Sequence, residues 1–293
     1  MPSRINRALE LLEQGQPIYY TDSGPLTYDN GKAMARTWAD YLAVDLEHGA
    51  WDLPGLGEFM RGLVDGGPTA SGHRTPTVIT TVPTDGTDEA VVRANAWMFK
   101  QVLARGVHGV LLCHAESAGA VRAFVESCRY PFTDIGVGGW LGQGRRGAGG
   151  QASAAEAWGV SPQEYLEKAD PWPLNPAGEL LLGLKIENTR ALLYADVTTA
   201  IPGVAFAEWG PGDMSMSLGY TYRHDAPFPD DMQAARCKVL SACKNSGIFF
   251  LNGVREDDVA EMIDEGVMIG SSGTAGELAA RKGRSYTKRT MPV

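Results

Sequence analysis

Eight short apolar runs, separated by stretches of helical spacing, constrain the fold of this chain more than any other feature of its sequence. They span 17–21, 41–46, 77–82, 109–113, 180–186, 204–208, 248–251 and 267–270. Most are continuous rather than alternating, as strands buried on both faces of a parallel sheet should be. The stretches between them carry helix punctuation. One runs over 88–105 with Thr87 or Asp88 as N-cap and Gly106 just past its end; another runs over 256–265 and stops at Gly266. Strands alternating with helices predict parallel crossovers, and closure into a (β/α)8 TIM barrel is the economical solution. The length of 293 residues fits two average domains, but it also fits a single barrel domain over 1–293.

Residues 130–178 interrupt the rhythm with a run rich in glycine, proline and tryptophan. Within it, Ser161-Pro162-Gln163-Glu164 is a capping box with proline at the first helical position, which predicts a short helix to Ala169. An insertion of this length is usually functional or part of an interface.

Composition narrows the partners. The net charge is −9, from 26 basic and 35 acidic residues, which argues against nucleic acid or an anionic membrane surface. Cys113, Cys128, Cys237 and Cys243 show no metal-type spacing and read as reduced thiols. The amino-terminal segment has an amphipathic helix pattern without a signal-peptide core, and no apolar run approaches membrane-spanning length. The expectation is a cytoplasmic protein.

Three segments could carry chemistry. Asp45-Leu46-Glu47-His48-Gly49 ends the second predicted strand, and catalytic groups of a barrel sit at such exits. His48 with a carboxylate three residues back suits a general base held in one tautomer, or alternatively a strand-end histidine capping a loop. At the fifth exit, alternation puts Lys185 and Glu187 on one face. A buried acid there needs a metal or a partner, and a plain Lys–Glu pair is the simpler alternative. After the sixth strand, Trp209-Gly210-Pro211-Gly212-Asp213 forms a tight turn with N–H groups open to an anion, or an ordinary Asx turn. Glu187 and Asp213 on neighbouring exits are two hard oxygen ligands of the kind that hold Mg²⁺ or Mn²⁺.

Together these segments resemble the HpcH/HpaI aldolase family of the phosphoenolpyruvate/pyruvate barrels. The likeness rests on Asp45-Leu46-Glu47-His48, Ile186-Glu187 and Gly210-Pro211-Gly212-Asp213-Met214-Ser215, with Arg129-Tyr130-Pro131 between them, and covers roughly 6–281. It implies a lyase that cleaves a 4-hydroxy-2-oxo acid to a pyruvate-type 2-oxo acid and an aldehyde. Glu187 and Asp213 would bind the divalent metal, Mg²⁺ or Mn²⁺, with Co²⁺ as a further ion of that kind. The backbone at Gly212 and Asp213 would hold the substrate carboxylate, and His48, oriented by Asp45, would be the base. The resemblance also implies trimers or hexamers with C-terminal helices exchanged between copies.

Two departures bear on the chemistry. The family places an arginine before the proline that ends the third strand, where it contacts the substrate; here Val82 precedes Pro83. Lys185, where the family carries a neutral residue, could replace that cation or form a Schiff base with a carbonyl. His114, in Cys113-His114-Ala115-Glu116 at the fourth exit, could reach the substrate or be a satisfied strand-end histidine, and Arg145 and Arg146 from the insertion could enter this site or that of a neighbouring copy. The missing arginine leaves open a decarboxylase or a retro-Claisen lyase acting through the same enolate. A non-catalytic barrel serving in binding or assembly is the third reading.

Overall fold

The computed structural model describes residues 2–271 and 276–293. Its strands are β1 (Ile18–Asp22), β2 (Tyr41–Val44), β3 (Thr77–Asp85), β4 (Gly109–Cys113), β5 (Pro171–Trp172), β6 (Leu180–Ile186), β7 (Phe206–Trp209), β8 (Phe249–Gly253) and β9 (Val267–Ser271). All pairings are parallel. The order β4-β3-β2-β1-β9-β8-β7-β6 is closed by a β4–β6 ladder, so eight strands form a complete barrel. The two-residue β5 joins the start of β6 below the point where β7 begins pairing. The expected (β/α)8 barrel is the fold.

Each barrel strand sends one large side chain to a common interior layer: Ile18, Tyr41, Ile79, Leu111, Leu181, Phe206, Leu251 and Ile269. The helix Arg7–Glu13 closes the bottom with Ala8, Leu9, Leu11 and Leu12. A larger core fills the space between strands and outer helices. Gly183 in β6 makes room for the Phe206 ring, since a Cβ there would lie 2.3 Å from it. At the bottom rim, the fully buried Asp40 accepts from Arg7 (2.9 Å), Arg284 (3.1 Å) and the Tyr19 N–H (3.0 Å), and pairs with Arg289 (2.8 Å). One carboxylate thereby ties the first helix, the start of β2 and the C-terminal segment together.

Local departures from the sequence expectations have local causes. The helix expected over 88–105 is two, Glu89–Ala94 and Ala96–Leu103, parted at Asn95, whose side-chain amide donates to the Val91 carbonyl (3.0 Å). Asp88 is its N-cap, accepting from Val91 N–H. The helix expected from 256 begins at Val259, because the Asp258 carboxylate takes the Arg255 N–H and turns the chain first (2.7 Å). In the insertion, Ser161 caps the expected helix Pro162–Lys168, and an unexpected one, Gln151–Trp158, lies between two left-handed glycines. The insertion leads from the helix Ala118–Cys128 to the start of β6, and so lies at the lower end of the barrel. Arg146 is buried there over the Tyr130 ring, bonded to Tyr165, while Arg145 faces Glu126, so neither enters the site of its own barrel. Among the described residues no helix is long and apolar enough to cross a membrane. All four cysteines are free.

Candidate active site

At the C-terminal rim, β2, β4, β6 and β7 deliver charged side chains to one region. A cavity of about 150 Å³ opens there, its wall including Tyr20, Tyr41, Asp45, Glu47, His48, Thr81, Lys185 and Glu208. Lys185 is the hub. Its Nζ donates to Glu47 Oε2 at 2.7 Å and lies 3.0 Å from Glu187 Oε2. The β6–β7 register sets Glu208 directly beside it. Burial alone would lower the Lys185 pKa, but the surrounding carboxylates, led by Glu187, hold it well above the ordinary lysine range. An ammonium so paired is no nucleophile, which argues against the Schiff-base role.

Asp45 and His48 form the second feature. His48 Nδ1 and Asp45 Oδ2 are 3.0 Å apart. Asp45 Oδ1 accepts from the Glu47 and His48 N–H groups (2.9 and 3.1 Å) and from Thr81 Oγ1 (3.1 Å), so the carboxylate cannot turn. Nδ1 is committed to Asp45, which leaves Nε2 of the exposed ring for chemistry. The bond to Asp45, helped by the charge of Glu47, raises the imidazole above its usual 6.5.

His114 follows β4 with φ +47°, a left-handed conformation that side-chain-bearing residues rarely adopt and that marks local strain. Its N–H donates to Glu187 Oε1 (3.2 Å) and its ring Nδ1 is 3.5 Å from the same oxygen. Glu187 is thus enclosed by Lys185, His114 and Gly210, where a Cβ would come within 2.8 Å of Oε2. Burial pushes the Glu187 carboxyl upward, and Lys185 opposes the shift. Asp213 lies in the first turn of the helix Pro211–Ser217. Open space lies over Gly212, and the N–H groups of Gly212 and Asp213 have no intrahelical acceptor at that position.

One expected site residue is elsewhere. Val82 is fully buried in the layer between strands and helices and is not part of the cavity wall. Alternation along β3 turns Ile79 and Thr81 inward, so Thr81 occupies the wall instead. Glu208 carries no role in the sequence reading, yet it faces the cavity. Enclosure by the barrel pushes its carboxyl up to about 7, against the pull of Lys185 and with help from the charges of Glu187, Glu47 and Asp213. Its signal was available: an acid two residues after the inward Phe206 must also point inward.

Hard carboxylate oxygens outnumber the single lysine, which suits a divalent cation. Asp45, Glu47 and His48 offer three ligand atoms within 4.8 Å of one another, and so do Glu47, His114 and Glu187.

Residues 73–281 match the model of the HpcH/HpaI aldolase/citrate lyase family. The chain belongs to this family. Like the family at large it is a lyase of aldolase type, which sets aside the non-catalytic reading. A hydroxypyruvate/pyruvate aldolase of Roseobacter denitrificans is 26% identical over 247 residues, 84% of this chain and 82% of the relative. The crystal structure of a family member from Burkholderia cenocepacia superposes with a TM-score of 0.71 at 20% identity, covering 96% of this chain and 97% of that one. A citrate lyase β subunit from M. tuberculosis, complexed with oxaloacetate and magnesium, gives 0.55 at 14% identity, with 93% and 98% covered.

Proposed function

We propose that this family member is a divalent-metal-dependent aldolase that cleaves a 4-hydroxy-2-oxo acid into pyruvate, or a close 2-oxo acid, and an aldehyde. The observation that carries the reading is the Lys185 ammonium held between Glu47 and Glu187, beside the Asp45–His48 pair. The names of the hydroxypyruvate/pyruvate aldolase relative and of the magnesium-bound citrate lyase subunit support it.

Glu187 and Asp213 would hold the metal, with Glu47 within reach; a bound Mg²⁺ or Mn²⁺ supplies Lewis-acid polarisation of the keto oxygen. The free N–H groups of Gly212 and Asp213 receive the substrate carboxylate. His48, fixed by Asp45, takes the proton of the C4 hydroxyl through Nε2. The C3–C4 bond then breaks, its electron pair passes to the 2-oxo acid half as an enolate, and C4 leaves as the aldehyde. The protonated His48 Nε2 returns that proton to C3 of the enolate, which completes the turnover and restores the base. Lys185 places a fixed positive charge where negative charge develops, a role worth about 2.7–4 kcal/mol for comparable donors. Copies of the chain assemble as a trimer or hexamer in this reading, which analytical ultracentrifugation checks.

The test is metal binding alongside activity. Outer-sphere partners of a metal ligand already matter about 10–100-fold. Glu187→Gln should therefore weaken Mn²⁺ binding, followed by electron paramagnetic resonance, by more than about tenfold. It should also abolish aldol cleavage, as should EDTA. Full activity in EDTA would contradict metal dependence.

A further inference from the structure

The Asp40 cluster at the bottom rim encloses more positive charge than it cancels. Arg7 comes from the first helix, Arg284 from the helix Gly276–Tyr286 and Arg289 from the segment after it. Arg7 and Arg289 share Asp40 Oδ1, at 2.9 and 2.8 Å, while Oδ2 takes Arg284 at 3.1 Å and the Tyr19 N–H at 3.0 Å. Both oxygens of the carboxylate are occupied. Among the described residues no second acid pairs with any of these arginines, so three cations against one carboxylate leave two charges uncancelled. The Arg7 and Asp40 side chains are fully buried, that of Arg289 is 2% exposed and that of Arg284 12%, so water does little to disperse the excess.

The donors around Asp40 are not used up either. Arg7 Nε and Nη1, Arg284 Nε, Arg289 Nη1 and the Tyr19 hydroxyl are all closed off from solvent, and none has a hydrogen-bond partner among the described residues. The other guanidinium nitrogens are spent: Arg289 Nε on the Met291 carbonyl (2.9 Å), and Arg284 Nη2 on the Trp38 carbonyl (2.8 Å) as well as on Asp40. Tyr19 belongs to the same group, since the Arg284 guanidinium lies 5.5 Å from the centre of its ring. Its hydroxyl reaches the helix at Gly283, where a Cβ would collide with it.

A buried donor without an acceptor bears the full cost of its lost water, and a charged one bears more. Five at one place call for an acceptor that the chain does not supply. Water could accept from them but brings no charge, whereas an anion is acceptor and counter-charge together. The strain of like charges shows at Arg7: burial, with the charges of Arg289 and Arg284, pulls it down to about 10 in spite of Asp40.

We propose that Arg7, Arg284, Arg289 and Tyr19 bind a halide ion, chloride in ordinary solution, beside Asp40 at the bottom of the barrel. A small sphere takes N–H and O–H donors from any direction and fits closed surroundings. A phosphate or carboxylate would bring further oxygens that each need a donor. The ion pins the first helix and the C-terminal segment to the barrel floor, and the proposal is independent of the chemistry at the upper rim.

Two measurements on the full chain test it. In the first, thermal unfolding is followed while sodium chloride replaces sodium gluconate at constant ionic strength. Tm should rise to a plateau, by on the order of 5 °C once chloride reaches about 100 times its Kd, and bromide should act alike. Arg289→Gln removes one cation and one unspent donor, and should raise the half-saturating chloride concentration by more than about tenfold. In the second, which needs no variant, crystals of the parent grown in sodium bromide should show an anomalous bromine peak against the Arg7 and Arg289 guanidinium groups. A Tm indifferent to the anion, a half-saturation unchanged in folded Arg289→Gln, or water in place of bromide overturns the proposal. A bromide peak without an anion-dependent Tm is an adventitious ion only, and overturns it as well.

Discussion

A histidine becomes a base through the groups that hold it. Asp45 satisfies two backbone N–H groups, Thr81 and the His48 ring at once, so it presents its charge to Nδ1 in one orientation. That hydrogen bond raises His48, so the ring is protonated and inactive as a base below a pKa that lies above 6.5. The acid limb of the kcat/KM profile should therefore fall above that value and move down in Asp45→Asn; a limb at the same pH in both proteins would contradict the assignment. Asp45, His48, Glu187 and Asp213 stood out in the sequence because each follows an apolar run, and Lys185 because it interrupts one; the structure brings Asp45, His48, Lys185 and Glu187 to one rim. Val82 was misplaced because sequence position alone does not reveal which way a side chain turns where the β3–β4 register shifts after Thr81.

Elements join what the sequence separates. The Lys185–Glu208 pairing depends on the register between β6 and β7, which no spacing in either strand reveals. Its consequence for stability has a definite sign. Enclosure raises the Glu208 carboxyl from 4.5 to about 7, so the folded chain holds more protons than the unfolded one between those values. The stability associated with that proton is complete below 4.5 and is lost as pH rises through 7. Glu208→Gln, which stays neutral, should gain on the order of 1–3 kcal/mol over the parent at about pH 8 and nothing near pH 4.5, by urea unfolding at both. Equal differences at the two pH values would show that Lys185 compensates the charge completely. Helix ends behaved similarly: the caps at Asp88, Ser161 and Gly266 were readable, while the break at Asn95 came from a side chain competing for a helical carbonyl.

At the scale of the whole molecule, the barrel separates chemistry from anchorage. The upper rim carries Asp45, Glu47, Glu187, Glu208, His48, His114 and Lys185. The lower rim carries Asp40 with its three arginines, and the insertion lies at that lower end as well. The eightfold rhythm of apolar runs was enough to infer the closed barrel, because only closure pairs every parallel strand. It said nothing of the lower rim, where Arg7, Arg284 and Arg289 meet from opposite ends of the chain. Removing Asp40 leaves these cations buried without a carboxylate, so Asp40→Asn should cost about 3–5 kcal/mol in equilibrium unfolding. A loss below about 1 kcal/mol would show that water already serves the arginines.

Deuterium incorporation into the methyl group of pyruvate in D₂O, followed by NMR, tests the central claim most directly: that this rim stabilises an enolate with Lys185 in place of an arginine. Exchange that needs Mg²⁺ or Mn²⁺, stops in EDTA and is lost in both His48→Ala and Lys185→Met is the predicted result. No exchange in protein that binds the metal, or undiminished exchange in Lys185→Met, would contradict it.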